Sequence, residues 1–161
     1  MQRVVIVGGE LRNKGSEAMV IAAADWLRAH LPDVEVVLAS YFAVDVDLGA
    51  DYGLKVLRND WGKRLIAQLP LLAAARMVGG RRVWSAAESS GSTEAIRASC
   101  AVFDLSGFGL TDRFGWRRSA VYCSEIVRAR LLGIPFVVMP QSMGPFRPWS
   151  VRALAQTFLP L

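Results

Sequence analysis

The chain has 161 residues, 53% of them hydrophobic, with a mean hydropathy of +0.30. That is too apolar for a disordered segment and enough for one domain with its own core. A formal net charge of +5 either favours anionic partners such as phosphates, nucleotides or head groups or serves solubility alone, and because the arginines are scattered, with no zinc-finger spacing and no aromatic-basic motif, nucleic acid is not an expected partner.

Val4 to Val7 is a continuous β-branched run ending in Gly8-Gly9. Such a run fits a strand buried on both faces of a parallel sheet. The chain enters it directly, with no secretory leader visible. Next, "GSEAMVIAAADWLRAHL" repeats apolar residues at helical spacing: Met19, Ala22, Ala23, Trp26, Leu27 and Leu31. Ser16 is the predicted N-cap, and Pro32 stops the helix. Val34 to Ser40 reads as a second strand, which completes a β-α-β unit. Tyr41 to Asp60 is less regular, with a short strand expected over Leu54 to Leu57. Trp61 to Val78 looks helical, with a kink or break at Pro70. Residues 79–92 are polar and rich in glycine and serine, which predicts a mobile loop.

Thr93 to Cys100 predicts a short helix, and Ala101 to Gly107 a strand ending at Ser106-Gly107. "WRRSAVYCSEIVRARLLG" is a strongly amphipathic helix with Gly133 as its stop. "IPFVVMP" predicts another buried strand. A last helix begins near Pro148, a residue suited to a first turn. Strands alternating with helices predict an α/β fold with a doubly wound, mostly parallel, Rossmann-like sheet, in a single domain over residues 1–161.

Parallel strands point one way, so the turns after their carboxyl ends share one edge of the sheet, where open α/β folds bind ligands. Three such turns carry polar and small residues: "GGELRNKGSEA", "SGFGLTD" and "PQSMGPF". The first is neither GxGxxG nor a Walker A loop, so no nucleotide fingerprint is present. Its Gly15 and Ser16 precede a helix N-terminus, which attracts anions; the glycines equally suit a plain tight turn. In the second turn, Gly107 and Gly109 permit close backbone approach, and Asp112 either meets sugar hydroxyls or caps the next helix. In the third, Gln141 and Ser142 either bind a ligand or satisfy backbone groups nearby. The one histidine, His30, reads as a surface residue at a helix end. No cluster of metal ligands and no cofactor motif occurs. Cys100 and Cys123 read as two buried free thiols in a reducing cytosol. Leu65 to Val78 is too short and interrupted to span a bilayer. With Arg76, Arg81, Arg82, Trp61 and Trp84 about it, the stretch reads either as a core helix with a solvated basic end or as a segment lying in a membrane interface.

At the three turns the sequence resembles the polysaccharide pyruvyl transferase family. The shared motifs are an "N-x-G-[DS]-E-A" turn at Asn13 to Ala18, an "SGGG-x-L-x-D"-like turn at Ser106 to Asp112, and "PQSxGPF" at Pro140 to Phe146. Ser16 stands where Asp is common, and Phe108 where Gly is common. The resemblance implies transfer of a pyruvyl group from phosphoenolpyruvate, a small anionic donor, to a sugar acceptor of a cell-surface polysaccharide. It implies a glycosyltransferase-B-like enzyme in the cytoplasm, at the inner face of the membrane where contact is peripheral. The implied substrate-binding residues are Gly9, Asn13, Gly15, Ser16, Glu17, Ser106, Gly107, Gly109, Asp112, Gln141, Ser142 and Gly144. It also implies a second Rossmann-like domain bearing the basic and histidine residues, so these residues correspond to an N-terminal half with little activity alone. The alternative is a non-catalytic module binding a nucleotide-sugar or glycan.

Overall fold

The computed structural model describes residues 2–59, 63–78 and 91–160. Five strands form one all-parallel sheet: β1 (Gln2–Val7), β2 (Val34–Ser40), β3 (Lys55–Arg58), β4 (Ala101–Asp104) and β5 (Phe136–Val138), in the order β3-β2-β1-β4-β5. Among the described residues the helices are α1 (Lys14–His30), α2 (Val44–Asp51), α3 (Lys63–Val78), α4 (Gly91–Arg97), α5 (Gly115–Leu132) and α6 (Trp149–Phe158). The two-residue period of β1 sorts its side chains into two cores. Val4 and Ile6 pack with Val20, Ala24 and Leu27 of α1 and with Leu48 of α2. Val5 and Val7 pack with Ala95 and Ile96 of α4 and Ala129 of α5. Helices thus cover both faces, and the sheet is the doubly wound one expected. On the α5 side, α3 adds Leu72 and Ala75 against Leu131 and Leu132, and α6 adds Ala155 beside Cys123 and Ile126.

Several local expectations are corrected. The N-cap of α1 is Asn13, whose side chain accepts from the Gly15 N–H at 3.1 Å; Ser16 Oγ instead accepts from the Glu10 N–H at 2.7 Å. The third strand lies one residue later than Leu54 to Leu57. Residues Val44–Asp51, within the stretch read only as less regular, form a helix. In it the Asp45 carboxylate is buried and accepts from Ser40 Oγ, and the Asp45 N–H bonds the Phe42 carbonyl. Helix α3 runs unbroken through Pro70, which lies on its exposed side. Gly133 does end α5, in the left-handed conformation at φ 75°. The expected buried strand near Val137 is half-exposed, because β5 lies at the sheet edge. Cys100 is exposed, just before β4, while Cys123 is buried, and the two thiols are free. Of the predicted 79–92 loop, residues 79–90 fall outside the described residues, as do Trp61, Arg81, Arg82 and Trp84.

Candidate functional site

From β1 the chain winds outward to β2 and β3; after α3 and α4 it returns to β4 and winds the other way to β5. The carboxyl ends of β1 and β4 are therefore the point at which the winding reverses, where a crevice opens in such sheets. Val7 pairs with Asp104 across these two strands, and the Leu105 N–H bonds the Val7 carbonyl at 2.9 Å. The next residue of β1's exit is Gly8, at φ 76°. A Cβ there would stand 2.2 Å from Ser106 Oγ and 2.8 Å from the Ser106 nitrogen. No real side chain fits, so only glycine lets the two turns meet this closely.

Asp104 anchors the floor. One carboxylate oxygen accepts from the Ser106 N–H at 3.1 Å and from the Ser106 hydroxyl; the other accepts from the Gln141 amide at 2.6 Å. Gln141 also accepts from the Gly109 N–H at 3.2 Å and donates to Tyr122 Oη at 3.3 Å. Its amide thus clasps the second and third turns together. The backbone continues the join: Ser142 N–H to the Gly107 carbonyl and Gly144 N–H to the Leu110 carbonyl, both at 3.0 Å. Asp112 accepts from the Arg147 N–H at 3.0 Å, and its other oxygen is buried without a partner among the described residues. Burial pushes the Asp104 carboxyl above the usual carboxylate range, against the hydrogen bonds from Ser106, Gln141 and Tyr122, which favour the charged form. Burial, then Asp104, pushes the Tyr122 phenol far up.

A cleft of about 390 Å³ opens above this floor. It is bordered by Gly9, Asn13, Gly15 and Ser16 from the first turn and by Ser106 and Gly107 from the second. The sequence thus located six of its lining residues. Glu17 does not face it: its carboxylate takes the Tyr52 hydroxyl and the Lys14 ammonium, and these, Lys14 first, hold it below the ordinary carboxylate range. Gln141, Ser142, Asp112 and Gly144 stand behind the lining as braces. Gly109 borders a smaller cavity of about 150 Å³ with Tyr41, Asp104, Tyr122 and Glu125. Both cavities share Gly8, Tyr41, Ser106, Phe108 and Phe114.

Beneath them lies a polar network the sequence reading missed. Arg128, with no exposed surface, donates to Glu125 and, at 3.1 Å, to Asn59; Tyr41 and Asn59 donate to Glu125 at 2.8 and 2.9 Å. The network links the exits of β2 and β3 to α5. Its signal was present: Glu125 and Arg128 stand three apart among the apolar residues of a helix, and Asp104 interrupts an apolar strand. His30 is elsewhere, stacked on Trp26 in the last turn of α1, which begins at this edge and runs away from it. Among the described residues no cluster could hold a metal ion. The arrangement can present hydroxyl and carboxylate acceptors and backbone N–H groups to a ligand.

The family model for polysaccharide pyruvyl transferase matches residues 13–160, nearly the whole chain and all three turns beyond Asn13. No curated protein matches it.

Proposed function

The chain belongs to the polysaccharide pyruvyl transferase family, and from that premise we propose that it serves transfer of a pyruvyl group from phosphoenolpyruvate to a sugar of a cell-surface polysaccharide. The observation that carries this reading is the convergence of the three family turns on the crevice between β1 and β4. In the reaction two hydroxyl oxygens of the sugar bond to the enol carbon, and phosphate leaves. One hydroxyl proton goes to the methylene carbon and the other leaves with phosphate. Here the residues present do the holding. Ser106, its proton directed at Asp104, turns acceptor lone pairs to the cleft. The N–H groups at the start of α1 suit an anionic donor. Histidine and basic groups for proton delivery belong to a second, glycosyltransferase-B-like domain, so that these residues correspond to the N-terminal half and act in the cytoplasm.

The test is ³¹P and ¹H NMR of the chain with phosphoenolpyruvate and a polysaccharide acceptor. Release of phosphate with a new ketal methyl singlet is the full activity. Binding of donor without release is expected of the half-enzyme, with turnover returning when the second domain is added. Absence of both refutes the reading. A second reading, a glycan-binding module without chemistry, is favoured by one observation: the only histidine is distant from the cleft. Glycan binding with no turnover under any addition supports it.

Peripheral membrane contact joins the proposal through α3, which exposes Ile66, Leu71 and Met77 beside Arg76. Among the described residues no helix is long and apolar enough to cross a membrane. Sedimentation with anionic vesicles at low salt, reversed by added salt, is expected; retention in the supernatant removes this part.

A further inference from the structure

The positive charge of this chain is unevenly spread. Residues 113–161 hold seven of the 19 basic residues and one of the 14 acidic residues, so the whole positive excess sits there. The one acidic residue, Glu125, is buried against Arg128. Arg113, Arg117, Arg118, Arg147 and Arg152 are all exposed. They lie in or beside the first turns of α5 and α6. Each of these helices follows a parallel strand, so both begin at the carboxyl edge of the sheet, where the crevice opens.

Two tryptophans stand among these arginines. Gly115, at φ 68°, opens α5 and puts Trp116 in its first turn; Pro148, at φ −64°, does the same for Trp149 in α6. Trp149 is 82% exposed and Trp116 55%. The two border one groove of about 330 Å³ that Ala120, Ala153 and Leu154 also line. The Thr157 hydroxyl beside it donates to the Ala153 carbonyl at 2.8 Å. Arg117 lies over the Trp116 ring at 5.7 Å. Indole rings and guanidinium groups around an apolar groove match the boundary between lipid headgroups and acyl chains. There the rings enter the boundary layer and the guanidinium groups meet phosphates. Reading a base edge takes aimed donors and acceptors, whereas this groove presents chiefly methyl groups.

We propose that the first turns of α5 and α6 dock on an anionic lipid bilayer, with Trp116 and Trp149 in the headgroup layer and the five arginines on its phosphates. The patch runs on to the crevice mouth, since Phe114, 4.7 Å from the Arg118 guanidinium, also borders both cavities. A chain docked in this way holds the crevice between β1 and β4 open at the membrane surface. The surface is separate from α3, which packs on Leu131 and Leu132 in the last turn of α5, about 22 Å along that helix from Trp116. The inference stands whether or not the chain transfers a pyruvyl group.

The test sediments the whole chain with vesicles of equimolar phosphatidylglycerol and phosphatidylcholine and, separately, of phosphatidylcholine alone. The chain should pellet with the anionic vesicles only and be released as salt rises. Arg113→Gln and Arg117→Gln should each weaken binding about fivefold. Trp116→Ser with Trp149→Ser should weaken it too, and should remove the blue shift of tryptophan emission that anionic vesicles cause in the unaltered chain. All four side chains are exposed, so their replacement leaves the core intact, and far-UV circular dichroism checks that each variant is folded. No pelleting with anionic vesicles, equal pelleting with neutral ones, or an unchanged affinity in the arginine variants overturns the proposal. Leu71→Ser with Met77→Ser on α3 separates the two membrane contacts. Binding lost in that variant and unchanged in the α5 and α6 variants overturns the proposal and keeps the α3 contact; the reverse supports the proposal and removes the α3 contact. A single-stranded oligonucleotide that binds more tightly than the vesicles at the same salt, with the same dependence on Trp149, assigns the patch to nucleic acid and overturns the proposal.

Discussion

Replacing Gly8 by alanine should be far more damaging than replacing Gly107, although both glycines sit in turns with positive φ. Left-handed backbone costs an alanine about 1–2 kcal/mol at either position. At Gly107 that is the whole effect, since the nearest atom to a new Cβ is the flexible Met19 Cε at 3.7 Å. At Gly8 the new atom would lie 2.2 Å from Ser106 Oγ, 2.7 Å from Asp104 Oδ1 and 2.8 Å from a backbone nitrogen. The hydroxyl can rotate away, but the backbone cannot without parting β1 from β4. Overpacking of this kind adds about 1–3 kcal/mol. Gly8→Ala should therefore lose about 2–5 kcal/mol, a large share of a typical 5–15 kcal/mol. In a chain of this length that lowers the melting temperature by about 4–20 °C, against about 2–8 °C for Gly107→Ala. Urea titration followed by circular dichroism gives both values. Equal losses in the two variants would refute the claim that the Gly8 contact with the Asp104–Ser106 turn holds the crevice together.

Arg128→Met should cost about 3–5 kcal/mol, because it leaves the Glu125 carboxylate buried without its cation. Adding Glu125→Gln should recover part of that loss in the same denaturation assay, whereas additive losses would contradict the pairing. Burial raises the Asp104 carboxyl, so the folded state holds that proton to higher pH than the unfolded chain does. Its contribution to stability is thus present below the ordinary aspartate range and falls as pH rises toward the raised folded value. Asp104→Asn should remove this downward slope from a stability–pH curve; a slope unchanged in the variant argues against it. Cys123, its thiol pushed up to about 12 by burial, should resist a thiol reagent at neutral pH, while the exposed Cys100 reacts. One thiol should be titrated in the native chain and two in denaturant; two in the native chain would contradict the burial of Cys123.

Much of this architecture is legible in the order of residues. Val4 to Val7 reads as a strand buried on both faces, because its apolar run is β-branched and short, and Val34 to Ser40 reads as the strand that completes the β-α-β unit. Gly133 had to end α5, since few other residues accept φ 75°. Once the strands are parallel, the three motif turns must share one edge, and Asn13, Gly15, Ser16, Ser106 and Gly107 do border one cleft. Periodicity reports which face of an element is apolar; it does not report which other face it meets. That is why the strand after Pro135 is a half-exposed edge, and why Glu17 faces Tyr52 and not the cleft. The clasp of Gln141 on Asp104 joins residues 37 apart, and the Arg128–Asn59 bond joins residues 69 apart. Contacts of that range arise only when the sheet has assembled with β1 between β2 and β4, and they decide that a brace in the sequence motif, Gln141, supports the site from behind while Phe108 and Phe114 face into it.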